Sequence, residues 1–108
     1  MSIRAYILTG RIDDALRDGD NLVRYSNRHF GADHYYTAEA RAYRAMALHR
    51  AGRANEARKE FEQAVVVLID PAKVVGKQQA SVARTTRLKL ILNEYLTLLV
   101  GNKGTRSE

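Results

Sequence analysis

The 108-residue sequence predicts an all-α fold of about four to five helices, paired as hairpins and stacked into a short solenoid. Three observations lead there. Apolar residues recur at intervals of three and four through most of the chain, while period-two alternation never persists and no Asn-Gly hairpin turn occurs. The string Gly-Arg-x-x-x-Ala occurs twice, at Gly10 and at Gly52, 42 residues apart. Gly and Pro stand between the periodic stretches, where they end helices.

Each element follows from its own residues. "SIRAYILT" reads as the last two turns of a partial helix over 1–9, broken at Gly10. Ala15, Leu16, Leu22 and Val23 mark a helix over 12–30; Gly19 in its middle costs about 1 kcal/mol relative to Ala. A third helix is expected over 37–51, with Thr37 as N-cap and Glu39 in the first turn, where a carboxylate suits the helix dipole. Ala38, Ala42, Ala45 and Leu48 give it a small-residue stripe, and Gly52 ends it as a left-handed C′ residue. The fourth, over 54–69, carries Ala57, Phe61, Ala64, Val65 and Leu68 on one face. Pro71 then stops it, because proline lacks an N–H and biases Asp70 away from helical dihedrals. After the polar patch "VVGKQQAS", a last helix is expected over 78–100. Leu88, Ile91, Leu92, Tyr95, Leu98 and Leu99 form its stripe, and Leu90, Leu96 and Val100 widen it beyond what a one-sided helix needs. Residues 101–108 read as a disordered tail.

Length points to one domain, or a piece of one, and the 45% hydrophobic content suits a globular protein. No apolar run approaches the roughly 20 residues of a membrane span, and the N-terminus lacks the pattern of a secretory signal. Zero cysteines exclude disulfides, thiolate metal sites and a cysteine nucleophile, so the cytoplasm is the expected setting. Net charge is +6, but residues 1–70 hold 11 basic and 10 acidic side chains, against 7 and 2 over 71–108. The excess therefore lies on or beside the last helix, where Lys77, Arg84, Arg87 and Lys89 make nucleic acid an alternative partner, though a solvated face suits them better.

No site chemistry emerges. His29, His34 and Asp33 lack the converging ligands of a zinc site, and no metal or other cofactor is expected. "DDALRDGD" lacks the spacing of a calcium loop, and "GNKG" lacks the Lys-Ser/Thr of a phosphate loop. His49, near a helix end, suits the dipole there. Tyr35-Tyr36 reads as a staple at a helix start.

The stretch from Ala38 to Pro71 resembles a tetratricopeptide (TPR) repeat: small residues on helix A, Gly52 at the turn, and Ala57, Phe61 and Ala64 on helix B. "FGADHYYTAEA" is similar to the long linker of kinesin-light-chain-like repeats, which accounts for a period above the usual 34 or so. Arg41 and Arg44 depart from the family, which carries bulky apolar residues there, and Gly19 stands in the first unit where Phe61 stands in the second. The resemblance implies close-packed αα pairs in a right-handed solenoid, whose stacking completes the core. It also implies a concave groove for a partner peptide, to which Glu39, Ala42, Met46, His49 and Arg50 would contribute. "RLKLILNEYLTLLVG" is similar to a helix in bacterial TPR proteins that continue into a CHAT domain, a caspase-like protease module, which would make this chain a recognition or regulatory segment of a larger protein.

The function expected is protein–protein interaction without catalysis. The width of the last apolar stripe adds a homodimer through the C-terminal helix, since an uncovered stripe of that size invites association.

Overall fold

The computed structural model describes residues 3–70 and 82–107, with side chains over 5–70 and 82–101. It consists of five helices: α1 (Ile3–Leu8), α2 (Ile12–Phe30), α3 (Tyr35–Arg50), α4 (Ala54–Leu68) and α5 (Val82–Ser107). No strand occurs among the described residues. None of the described helices is long and apolar enough to cross a membrane.

The two Gly-Arg strings fold into the same turn. Gly10 and Gly52 take φ of 79° and 83°, where a Cβ is strained. The Gly10 and Gly52 amides donate to the carbonyls of Ile7 and His49, and the following Arg11 and Arg53 amides donate to Tyr6 and Leu48. These are the two bonds of a Schellman motif, which satisfies the last carbonyls of α1 and α3. Each arginine then caps the next helix while its guanidinium clasps an acid three residues on, Asp14 at 2.7 Å and Glu56 at 2.7 Å. The alanines that close the strings, Ala15 and Ala57, are both fully buried.

α3 begins two residues before the expected Thr37. The N-cap is His34, whose Nδ1 accepts from the Tyr36 amide at 3.1 Å, while Thr37 Oγ1 donates to the Gly31 carbonyl at 2.7 Å. Thr37 thus braces the preceding turn, and Glu39 lies beyond the first helical turn, which contains no acid. Gly31 supplies the sharp reversal at φ 92°.

The core is centred on α3, which packs against each of the other four helices. Its small residues Ala38, Ala42 and Ala45 let neighbours approach, and Phe61 of α4 fills the space with Leu48 and Leu68. Burying one such side chain contributes about 1.5–3 kcal/mol. Two arginines of α3 are bridges: Arg44 joins Asp20 of α2 to Glu60 of α4, and Arg41 Nη1 donates to Gln63 at 2.7 Å.

α4 ends at Leu68, and the Asp70 amide closes its last turn on Val67. Pro71, Lys77 and the expected start of the last helix at Gln78 lie outside the described residues. Residues 101–107, expected in a disordered tail, instead continue α5 to Ser107. Propagating a formed helix adds one hydrogen bond per residue, and a glycine such as Gly101 lowers that gain by about 1 kcal/mol without forbidding it.

Candidate interaction surface

Helical spacing places Glu39, Ala42, Met46, His49 and Arg50 on one side of α3, and that side faces α1 and α5. Ala42 and Met46 are buried. Glu39 accepts from Arg87 Nε at 2.9 Å. His49 Nδ1 lies 2.8 Å from Glu94 Oε2, and Arg50 donates to both oxygens of the same carboxylate at 3.2 and 3.3 Å. Early residues of α3 meet early residues of α5 and late meet late, so the two helices run parallel. α4 runs antiparallel to both.

The charges match this register. α3 presents an acid first and bases last, and α5 presents a base first and an acid last. Burial opposes ionisation of the Glu94 carboxyl, but the hydrogen bonds from Arg50 and His49 outweigh it and hold the group below the ordinary carboxylate range. The hydrogen bond to Glu94, against a smaller burial cost, raises the Arg50 guanidinium, and the one to Glu39 does the same for Arg87. Arg84 lies over the ring of buried Tyr35, 5.2 Å from its centroid.

Between the two ion-pair clusters and α1 is a cavity of about 50 Å³ lined by Ile7, Leu8, Met46, Arg50 and Leu90. Its floor is apolar. Leu8 is 73% exposed at its mouth, and Arg50 forms the polar rim. The arrangement suits a short aliphatic side chain with a polar group beside it. A second, open depression of about 480 Å³ lies on the opposite side of the α3/α4 hairpin, lined by Asp33, Arg41, Glu62 and Val66 among others.

Sequence reasoning missed Arg87 and Glu94 as partners of α3. The signal was the reversed charge order on the two helices, which only pairing makes meaningful. His34 stacks on Phe30 and His29 lies tilted against Tyr25, with ring centroids 4.8 and 4.2 Å apart. Among the described residues no group of three or more His, Asp or Glu converges as a metal site would require. No known protein family, curated protein or solved structure matches the chain.

Proposed function

We propose that the chain is a non-catalytic protein–protein interaction module of tetratricopeptide type, a stack of αα hairpins that receives a partner peptide across α1, α3 and α5. The observation that carries the reading is the packing order. Each helix packs on the next, and α3 also packs on α1 and α5, its neighbours two places away. That is how stacked helix pairs behave, with contacts confined to adjacent units. The twice-used Schellman turn, with its arginine clasp and buried alanine, supports two hairpins built on one plan. The absence of cysteine fits a cytoplasmic setting.

On this reading the peptide lies over the cavity lined by Leu8, Met46, Arg50 and Leu90, with Glu39, His49 and Arg50 each already paired to α5 and only the Arg50 edge left to line the cavity. The nucleic-acid alternative draws less support. Of its four basic residues, Arg87 is paired with Glu39, Arg84 lies over Tyr35, and Lys77 is outside the described residues. The test is selection from a displayed peptide library, followed by amide chemical-shift mapping. Selected peptides should perturb Leu8, Met46, Arg50 and Leu90 and lose affinity on Leu8→Glu. Selection that enriches nothing, or that maps only to the outer faces of α2 and α4, would sink the proposal.

A further inference from the structure

We propose that the outer face of α5 is a self-association surface, which pairs antiparallel with α5 of a second copy of the chain. The inference goes beyond the peptide-docking reading and stands or falls without it. It begins from where α5 puts its charges. Ten residues between Val82 and Gly101 are exposed, and Lys89 is the only charged one. On α4, four of seven exposed residues are charged: Glu56, Arg58, Lys59 and Glu62. A solvated helix face ordinarily looks like α4. α5 turns Arg84, Arg87 and Glu94 inward to Tyr35, Glu39 and the His49–Arg50 pair, and leaves Val82, Leu96 and Val100 80%, 57% and 69% exposed. Depletion of charge around exposed apolar side chains is the compositional mark of an interface core.

The spacing of that face says what covers it. Val82, Thr86, Lys89, Asn93, Leu96 and Val100 are all exposed and follow one another at intervals of four and three, the alternation of a coiled-coil seam. The stripe is symmetric about the level of residue 91. A two-fold axis there sets Val82 against Val100 of the second copy, Thr86 against Leu96, and Lys89 against Asn93. The asparagine amide oxygen accepts from the lysine ammonium, once on each side of the axis. Parallel pairing would instead set Lys89 against Lys89. The remaining exposed positions, Ala83, Thr85, Thr97 and Gly101, are small and uncharged, so nothing at the edges opposes close approach. An isologous contact of this kind closes at two copies. One helix per copy is a small interface, so the dissociation constant should be on the order of 100 µM.

Sedimentation equilibrium of the full chain up to about 1 mM, together with disulfide crosslinking, tests this. A monomer–dimer equilibrium is expected. Leu96→Glu should weaken it about tenfold with the helical circular dichroism unchanged, because the side chain is exposed. Asn93→Asp adds two Lys89–Asp pairs only in the antiparallel register and should tighten it about fivefold at low salt. The chain has no cysteine, so introduced ones report the register directly. Under oxidation, Val82→Cys and Val100→Cys chains should crosslink when mixed, and neither should crosslink to itself. A chain that stays monomeric at about 1 mM, a dimer indifferent to Leu96→Glu, or Val82→Cys crosslinked to itself would each overturn the proposal.

Discussion

The two Gly-Arg hairpins share a turn and differ in what they bury. In the first, α2 turns Ala15, Gly19 and Ser26 inward and leaves Leu22, Tyr25 and Phe30 39%, 56% and 44% exposed. In the second, α4 buries Ala57, Phe61, Ala64 and Leu68 completely against an α3 that is itself mostly buried. The turn is a local affair, settled by a glycine that tolerates positive φ and by two backbone hydrogen bonds. Core depth is positional: among the described residues α3 packs on all four other helices, whereas α2 packs mainly on the six-residue α1 and on α3. The same Gly-Arg-x-x-x-Ala pattern therefore opens both a shallow hairpin and a deep one.

The largest expected effect separates them by side-chain truncation. Phe61→Ala should cost about 3–5 kcal/mol, because it removes a fully buried ring and leaves a cavity that packed neighbours cannot close. Leu22→Ala, on the exposed side of the first hairpin three residues past Gly19, should cost less than about 1 kcal/mol. Urea denaturation followed by circular dichroism reads both through the midpoint at constant slope. Equal costs would mean that the first hairpin is as deeply packed as the second. Overpacking sharpens the contrast from the other direction. Ala57→Leu should cost about 1–3 kcal/mol, and Ala15→Leu should fall at or below the low end, since the short α1 yields more readily than α4's neighbours.

The shared half of the comparison is tested by Gly10→Ala and Gly52→Ala. A Cβ at either position meets no atom within 4 Å, so the cost is backbone strain alone. Both should lose about 1–2 kcal/mol, equal within error, in the same denaturation measurement. A clear inequality would show that the two turns, alike in hydrogen bonding, are strained differently.

This division also explains what was legible in the sequence. The all-helical build and the breaks at Gly10 and Gly52 follow from apolar spacing and from residues whose conformational limits act locally. The start of α3 at Tyr35 was hidden, because the cap is a histidine ring nitrogen and the expected capping hydroxyl of Thr37 is spent on Gly31. Leu22 looked like core because its spacing suits a stripe; only the placement of α1 and α3 makes Gly19 and Ser26 the inward positions. On the candidate surface, helical spacing alone places Glu39, Ala42, Met46, His49 and Arg50 on one side of α3. Their engagement was not legible, because Glu39, His49 and Arg50 find partners 44 to 48 residues away.

Glu94 carries the smallest and most diagnostic of the expected effects. It ties α5 to the deep hairpin with no counterpart on the shallow one. Its carboxyl is held below the ordinary range in the folded chain, where the Arg50 and His49 hydrogen bonds outweigh burial. The folded state therefore binds its proton less readily than the unfolded state. The stability it contributes is present above the unfolded value of about 4.3 and is lost as pH falls through the lower folded one. Denaturation midpoints measured from about pH 7 to pH 3 should decline below about pH 4.5 in the parent chain. Glu94→Gln should lose about 1 kcal/mol at neutral pH and decline less steeply in acid, because the group whose protonation drives part of the fall is gone. A variant whose acid limb runs parallel to that of the parent would show that protonation of Glu94 contributes nothing to the fall.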